Sequence, residues 1–314
     1  MTETILTLTL NPAIDGACEA DRVRHTHKIR TTNERYDPGG GGINVARVLA
    51  RLGSPAQACY LSGGVTGQLL DSLIDEAGLS RLSIPVTDTT RISHTVYERS
   101  TGKEYRFVPE GPQVREEEWQ AALTAVERTD HAIMVASGSL PPGVPDDFYV
   151  RLLGLVREKG AHMVLDCSGE ALKQAVAAGG LWMIKPSRGE FEALIGRSCT
   201  DMEDVGEAAQ ALVRQGVADL IVVTMGHDGA LLAHAGGTLH RIPPDVPVKS
   251  ATGAGDSFVA GMVHRLAQGW EPERAFLYGM AAGSAAVLTP GTDLCLPEDV
   301  ERLFAEMVAE PAGG

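Results

Sequence analysis

The chain has 314 residues and a formal net charge of −14, because 41 acidic side chains outnumber 27 lysines and arginines. This negative charge disfavours nucleic acid and anionic membranes as partners, and an anionic substrate would need a local basic pocket. Hydrophobic residues make up 44% of the chain, enough for one large α/β domain with an appendage. No apolar run approaches the ~20 residues of a membrane helix, and no signal-peptide pattern is visible, so we expect neither.

The cysteines of the chain indicate a reducing environment. They are Cys18, Cys59, Cys167, Cys199 and Cys295. Their wide spacing, their odd number and the lack of a Cys-x-x-Cys pair disfavour a disulfide framework or a zinc site. We therefore expect reduced thiols and a cytoplasmic location.

The first part of the chain alternates predicted strands and helices. Thr4–Leu10 is rich in β-forming residues and stops at an Asn-Pro pair, which predicts a strand. Four glycines, Gly39–Gly42, then precede Ile43–Leu52, whose apolar residues have helical spacing, and Gly53 closes this helix. The next predicted elements are a strand over Gln57–Leu61 and a helix over Gln68–Ala77.

Two segments depart from this alternation. Arg91–Phe107 shows strand-like alternation around a turn at residues 100–102, which predicts a hairpin. Cys18–Tyr36 is polar and extended. We expect these insertions, at about residues 16–37 and 89–108, to form a small β lid on a single domain of residues 1–310.

The remainder of the chain has a regular pattern of helices and strands. The predicted helices are Glu116–Thr129, Asp146–Lys159, Glu170–Ala178, Arg188–Ile195, Met202–Gln215, Asp256–Gln268, Pro272–Leu288 and Pro297–Met307. The predicted strands are Ala132–Ala136, His162–Asp166, Trp182–Lys185 and Leu220–Thr224, with a hairpin over Ala230–Ile242. This alternation predicts an α/β fold with a mostly parallel central sheet and helices on both faces.

The turn Gly253-Ala254-Gly255-Asp256 is the strongest chemical motif. Its glycines allow a tight turn before a helix, and the N-terminus of a helix attracts anions. Asp256 can take the proton of an attacking hydroxyl while backbone N–H groups hold a phosphoryl group. A helix cap explains the same residues equally well, because aspartate is a preferred N-cap. The turn is not a Walker A loop, since no Lys-Ser/Thr pair follows it.

The run Gly39–Gly42, followed by Asn44, is the second motif. Four successive glycines carry a large entropy cost, which indicates a backbone with positive φ or a very close approach. Such a turn can bind sugar hydroxyls or phosphate through N–H groups, and the Asn44 amide both donates and accepts. A flexible loop is the simpler but less favoured interpretation.

Five segments in order resemble the PfkB/ribokinase family of carbohydrate kinases, and the resemblance covers essentially the whole chain. They are Leu10–Asp15, Gly39–Arg47, Ser137–Gly143, Lys185–Pro186 and Ala251–Phe258. The resemblance implies a ribokinase-like fold and ATP-dependent phosphorylation of fructose 6-phosphate at its C1 hydroxyl. Kinases of fructose 1-phosphate or tagatose 6-phosphate remain open, as does a non-catalytic sugar- or nucleotide-binding regulator. An intact Gly253–Asp256 turn and Lys185 disfavour the regulator.

The resemblance also implies roles on the acceptor side. Asp256 would be the base, and the backbone of Gly253, Ala254 and Gly255 would form the anion hole. The residues that would bind the acceptor are Asp15, Gly40, Gly41, Asn44, Arg91 and Ser139, with Asp15 just past the end of the first strand and Arg91 on the 6-phosphate. Lys28 and Arg30 would complete the pocket of the other subunit in a homodimer joined through the lid, or a regulatory ATP site. A solvated basic strand edge is the equal alternative.

On the nucleotide side, the resemblance implies ATP binding by Lys185, Ser187, Thr224, Gly226, Gly229 and Ser284. Glu190 would hold Mg²⁺ through water. The family often has asparagine at the position of Ser187, in the pattern Asn-x-x-Glu, so this chain departs from it there. Gly283, beside Ser284, lies in a run of small residues that helix packing also explains. Carbonyl groups near Ser250, Thr252, Ala286 and Gly291 would hold K⁺.

Overall fold

Two β-sheets organise the fold, which we describe from a computed structural model for residues 4–309. Residues 1–3 and 310 of the predicted domain lie outside the described residues, and the single-domain assignment stays a prediction. In chain order the strands are β1 (Ile5–Thr9), β2 (Ala13–Ala20), β3 (Thr31–Gly39), β4 (Ala56–Gly63), β5 (Ser80–Val86), β6 (Arg91–Glu98), β7 (Lys103–Phe107), β8 (Ile133–Ser137), β9 (His162–Asp166), β10 (Leu181–Ile184), β11 (Ala218–Thr224), β12 (Ala230–His234) and β13 (Gly237–Arg241).

The large sheet has the strand order β13-β12-β11-β10-β9-β8-β1-β4-β5. Its strands from β11 to β5 are parallel, and β12 and β13 extend it with antiparallel pairs. Leu6 and Leu8 of β1 enter one core cluster, whereas Ile5 enters the cluster on the other face. This is the two-residue period of a strand that is buried on both faces. Because parallel strands end at one edge, the loops after β1, β8, β9 and β10 meet there.

Helices cover both faces of this sheet, as predicted. They are α1 (Gly41–Arg51), α2 (Gly64–Glu76), α3 (Glu116–Arg128), α4 (Phe148–Glu158), α5 (Gly169–Ala178), α6 (Arg188–Ile195), α7 (Met202–Arg214), α8 (Ala254–Leu266), α9 (Pro272–Ala286) and α10 (Pro297–Ala309). One core cluster contains Trp119 of α3 and Phe191 of α6, and the opposite cluster contains Val259 of α8 and Leu303 of α10. None of the helices within residues 4–309 has both the length and the apolar composition to cross a membrane.

The small sheet, which we call the lid, has the order β3-β2-β6-β7. Strands β6 and β7 form the predicted hairpin, and β2 pairs with β3 in the same antiparallel way. The parallel pairing of β2 with β6 joins the two insertions into one sheet. The predicted lid is therefore confirmed, with strands that span residues 13–39 and 91–107 rather than 16–37 and 89–108.

Several details of the predicted elements are wrong, among them the starts of α1 and α2, which were predicted at Ile43 and Gln68 but lie at Gly41 and Gly64. Strand β5 was missed, because this sheet-edge strand is about half exposed and contains Pro85, which edge strands tolerate. Helix α8 begins at Ala254 rather than Asp256. Asp15 does not follow the end of β1, because it lies inside β2 of the lid.

Candidate active site

A glycine-rich turn at residues 251–255 separates two cavities. The first, of about 310 Å³, lies beneath the lid, and we call it the lid cavity. Its sequence-predicted residues are Asp15, Gly40, Gly41, Asn44, Arg91, Ser139, Glu190, Thr252, Gly253 and Asp256. The second, of about 600 Å³, lies against α8 and α9, and we call it the helix cavity. Its predicted residues are Thr224, Gly226, Gly229, Ala254, Gly255, Gly283 and Ser284.

Asp256 is the third residue of α8, and no side chain makes a capping hydrogen bond at the start of this helix. The N-cap is Gly253, whose φ of 76° is in the region that favours glycine. The interpretation of Asp256 as a helix cap is therefore wrong. Its Oδ2 instead accepts a hydrogen bond from Asn44 Nδ2 at 2.9 Å.

The surroundings of Asp256 suit a proton acceptor. Burial raises the pKa of Asp256 to about 6, and the nearby charge of Asp166 adds to this rise. The Asn44 hydrogen bond and the ammonium group of Lys185 oppose it, and Asp15 contributes a further small rise. A carboxylate that titrates near neutral pH is well matched to general base catalysis.

The start of α1 forms another wall of the lid cavity. Its N-cap Gly40 has φ 111°, which confirms the expected positive φ in the run of glycines. The first N–H groups of a helix lack helical acceptors, and one of them, Ile43 N–H, donates to Thr9 Oγ1 at 2.9 Å. This contact fixes the start of α1, and with it Asn44, against the end of β1.

Lys185 and Asp166 form a buried ion pair at the ends of β10 and β9. Lys185 Nζ lies 3.3 Å from Asp166 Oδ1, and only 7% of Lys185 is exposed. Burial raises the pKa of Asp166, and the neighbouring Lys185 opposes the rise. A β-carbon on Gly255 would lie 3.3 Å from Lys185 Nζ, so the ammonium group lies directly beside the turn. The turn at the start of α8 and the Lys185 ammonium group are therefore neighbours, and their role as an anion site stays a prediction.

Asp15 faces the lid cavity from β2, close to three arginines. Burial raises the pKa of Asp15 to about 6, and Arg106, Arg47 and Arg91 oppose this rise. Arg106 lies on β7 and also lines the cavity, but it was missed in the sequence. Its position follows from the strand register, because Arg106 pairs with Thr95, two residues beyond Ser93, the partner of Asp15.

Arg91 lines the lid cavity but is tied to the backbone. Its Nη1 donates to Pro109 O at 2.8 Å and its Nη2 to Asn11 O at 2.7 Å. Ser139 lies on the same side, where its Oγ accepts from Asn11 Nδ2 at 3.2 Å. The proposed grip of Arg91 on a phosphate therefore stays a prediction, and the two hydrogen bonds indicate an additional structural role.

The helix cavity has mainly apolar walls, among them Val246, Val248 and Met280. A β-carbon on Gly283 would lie 3.2 Å from Ala254 O, so the small residues of α9 allow close packing on α8. The packing interpretation of this run is confirmed. Ser284 also lines the cavity, so the same small residues leave room for a flat ligand.

Ser187 and Glu190 form a capping box at the start of α6. Ser187 N–H and Oγ–H both donate to Glu190 Oε2, at 2.8 and 2.7 Å. Ser187 also bridges Thr224 of the helix cavity, whereas Glu190 faces the lid cavity. Both side-chain hydrogen bonds that Glu190 accepts within residues 4–309 go to Oε2, which leaves Oε1 for a metal-bound water. In the same part of the chain, no group of three or more His, Cys, Asp or Glu residues is arranged to hold a metal ion.

The four residues predicted to hold K⁺ lie on two adjacent segments. Lys249 N–H donates to Val287 O at 2.8 Å, which joins the segment of Ser250 and Thr252 to the end of α9. The carbonyl of Ala286 already accepts from Thr289 Oγ1 at 2.7 Å. Gly291 has a positive φ of 62° in the loop that follows. The backbone hydrogen bond brings the two segments together, and the ligand set stays a prediction.

Lys28 and Arg30 are not brought to either cavity. Both lie on the exposed connection between β2 and β3. In the single chain both side chains are exposed to solvent, as the alternative of a solvated basic strand edge predicts. Their role in a partner's pocket stays a prediction.

The mostly parallel sheet carries a lid, and two cavities meet at a helix N-terminus beside a carboxylate. This arrangement defines a class of protein that transfers a phosphoryl group between two bound substrates. The family model "pfkB family carbohydrate kinase" matches residues 8–299. The chain belongs to this family. It is a sugar kinase, and the predicted family and fold class are confirmed.

Individual relatives match over nearly the whole chain. An "ATP-dependent 6-phosphofructokinase isozyme 2" of Mycobacterium tuberculosis is 42% identical over 98% of this chain and 90% of its own. The Escherichia coli phosphofructokinase-2 in complex with fructose-6-phosphate has a TM-score of 0.93 and 37% identity, and the match covers 98% of this chain and 99% of that one. The same enzyme in complex with potassium has a TM-score of 0.94 and 38% identity, with 98% and 99% covered.

Proposed function

We propose that this kinase transfers the γ-phosphoryl group of ATP to the C1 hydroxyl of fructose 6-phosphate. The observation that carries the proposal is the position of Asp256, which faces the lid cavity from the turn that also lines the helix cavity. The names of the relatives support the acceptor. The lid cavity offers cationic groups for a phosphate, Arg91 and Arg106, together with hydroxyl-binding groups on Asp15 and Asn44.

In the proposed reaction, the C1 oxygen attacks the γ-phosphorus while the bond from that phosphorus to the β,γ-bridging oxygen breaks. Asp256 takes the proton of the hydroxyl, and ADP leaves with the electrons of the broken bond. The N–H groups of Gly253, Ala254 and Gly255, at the start of α8, would face the transferring group. Lys185, beside Gly255, would stabilise the charge that develops on the phosphate oxygens.

Kinases of this family use ATP with a divalent metal, and we propose that Mg²⁺ is that metal. Glu190 fits it, because one carboxylate oxygen faces a capping serine and the other can accept a water of the ion. Mg²⁺ keeps much of its water shell, so a site with a single carboxylate is sufficient. When bound, the metal would neutralise phosphate charge. We also propose K⁺ binding at the segments of Ser250, Thr252, Ala286 and Gly291, which the potassium complex of the relative supports.

We propose a homodimer that forms through the lid. Tyr36 and Phe107 are exposed on it by 49% and 57%, large fractions for aromatic side chains. They lie on one cross-strand row, because Gly16 pairs with Tyr36 and His94, and His94 pairs with Phe107. A second lid on this row would also bring Lys28 and Arg30 near a neighbouring cavity. We further propose a cytoplasmic location, which the five free cysteines support.

A panel of phosphosugars with ATP tests the proposed function. Fructose 6-phosphate, fructose 1-phosphate and tagatose 6-phosphate are ranked by kcat/KM at one Mg²⁺ concentration. We expect fructose 6-phosphate to rank first. A clear preference for fructose 1-phosphate would overturn the acceptor, and no turnover with any sugar phosphate would overturn the kinase proposal.

A further inference from the structure

A continuous chain of polar contacts leads from the lid to Asp256. Asp37 of β3 pairs with Arg47 of α1, with 3.2 Å between Oδ1 and Nη2. Arg47 Nη1 then donates to Asn44 Oδ1 at 3.3 Å. Asn44 donates in turn from Nδ2 to Asp256 Oδ2 at 2.9 Å. Three successive contacts therefore connect a lid carboxylate with the carboxylate that we assign as the base.

Arg47 is held in this chain from several sides. Only 7% of it is exposed, and its Nη1 also donates to Pro38 O at 3.1 Å. A planar fork of donors can reach Pro38, Asn44 and Asp37 at once, which a lysine cannot do. Asp37 is fixed as well, because its Oδ2 accepts from Thr292 Oγ1 at 2.6 Å and pairs with Arg35 Nε at 3.0 Å.

The contact with Arg47 favours one of the two orientations of the Asn44 amide. An asparagine side chain can present either its oxygen or its NH₂ group to a neighbour, and the two orientations have the same shape. Arg47 has no acceptor, so the amide oxygen must face it. The NH₂ group is then left to face Asp256. With the amide reversed, two oxygens would oppose each other at the base.

We propose that Arg47, held by Asp37, is a positioning residue that orients the Asn44 amide so that it donates to Asp256. This inference rests on the proposed function, because Asp256 acts as the base there. Asp37 belongs to the lid and Thr292 to the loop after α9, so the orientation of the amide depends on contacts from both. Loss of Arg47 would leave the amide free to turn and would remove the donor from the charged form of Asp256.

The helix that carries Arg47 also provides a matched control. Arg51 lies one turn further along α1, and it donates to Leu294 O at 2.9 Å and contacts Asp293 at 3.4 Å. It therefore ties α1 to the same loop but does not contact Asn44. The variants to compare are Arg47→Met, Arg47→Lys and Arg51→Met. Arg47→Lys keeps the charge and loses the fork, so it separates amide orientation from simple electrostatics.

Each variant is compared with the wild type by two measurements. The first is the pH profile of kcat/KM for fructose 6-phosphate. The second is direct titration of the Asp256 carboxyl by ¹³C NMR, with its signal assigned by comparison with Asp256→Asn. The charged groups around Asp256 are Asp166, Lys185 and Asp15, and those around Arg47 are Asp37, Arg51, Asp293 and Asp15. The substrate phosphate titrates near pH ~6 as well, but identically for every variant.

We expect Arg47→Met to lower kcat about tenfold, the effect of one hydrogen bond to a charged group. The acidic limb of kcat/KM and the Asp256 titration should both move to higher pH by at least about half a unit, because a donor to the charged form holds a pKa down. Arg47→Lys should show the same shift, and Arg51→Met should show neither effect. Thermal unfolding reports the loss of stability of each variant separately.

Three results would overturn the inference. The first is an acidic limb of kcat/KM in Arg47→Met at the wild-type pH. The second is a wild-type kcat and pH profile in Arg47→Lys, and the third is a shift of the acidic limb in Arg51→Met as large as that in Arg47→Met. If Arg47→Met does not fold, Arg47→Lys and Asp37→Asn are judged by the same two readouts. A wild type without turnover would overturn the proposed function, whereas the NMR titration would still decide whether Arg47 orients the amide.

Discussion

The side chains of Asn44 and Asp256 are hydrogen-bonded although 212 positions separate them in the chain. The contact joins α1 to α8 across the lid cavity. Helices on the same face of the sheet thus bring together two glycine-rich helix starts, one with a neutral amide and the other with a carboxylate. Because the amide donates to it, the carboxylate is partly stabilised in the charged form that a base needs.

Asp256→Asn tests the role of the base. We expect kcat to fall by about 10²- to 10⁴-fold, the usual contribution of a general base. The shape of the side chain is retained, so binding of ATP and of fructose 6-phosphate, measured by calorimetry, should change little. Turnover within about tenfold of the wild type would contradict the assigned role.

The stability of the wild type should depend on pH through the same residue. Burial raises the pKa of Asp256 from 3.8 to about 6. Between these two values the folded state binds more protons than the unfolded state, so the free energy of unfolding contributed by this group falls as pH rises. Asp15, raised to about 6, contributes in the same direction. Urea unfolding of the wild type and Asp256→Asn from pH 4 to 7 measures the effect.

We expect the free energy of unfolding of Asp256→Asn to increase relative to that of the wild type by about 1 to 3 kcal/mol as the pH rises from 4 to 7. Differences elsewhere cancel, because the two proteins share every other titratable group. Stability curves that run parallel from pH 4 to 7 would show that Asp256 has an ordinary pKa.

Much of this fold can be predicted from periodicity. The helical spacing in α1 and the apolar strands β8 and β11 are strong local signals, because α1 packs on the large sheet and both strands are buried within it. β5 shows where such signals fail, since a half-exposed edge strand with a proline has no clear pattern. The position of Asp15 in β2 also escaped prediction, because Asn11 and Pro12 mark the end of β1 but not the immediate start of a lid strand.

Gly40 and Asp256 could be singled out because residue type and local turn suggest their chemistry, and the structure brings both to the lid cavity. Arg106 was missed because its face depends on the register of β7 against β6. Asp166 ends a predicted parallel strand, a position from which side chains reach ligands, so its location did contain a usable signal. The function of Lys28 and Arg30 depends on a second chain, which one sequence does not describe.

Ser284→Leu tests the assignment of the helix cavity to the nucleotide. Ser284 is 7% exposed and lines the cavity opposite Val246 and Val248. A leucine there fills space that a base would occupy, so we expect KM for ATP to rise by about tenfold or more, the effect of overpacking a close-fitted site. KM for the acceptor, bound in the other cavity, serves as the internal control. An equal rise in both constants would indicate general disruption of α9 instead.

Arg91→Ala and Arg106→Ala separate phosphate binding from structural support. Arg91 donates to the carbonyls of Asn11 and Pro109, so its loss should lower the unfolding temperature as well as weaken acceptor binding. Arg106 has an exposed side chain and faces the same cavity, and its removal should raise KM for fructose 6-phosphate by about 10- to 100-fold without loss of stability. Lys103→Ala is the matched control, because Lys103 is exposed on the same strand but does not line the cavity. A KM for Arg106→Ala within twofold of the Lys103→Ala value would leave Arg91 as the main phosphate ligand. The thermal unfolding of Arg91→Ala would then show how far the backbone contacts of Arg91 contribute to stability.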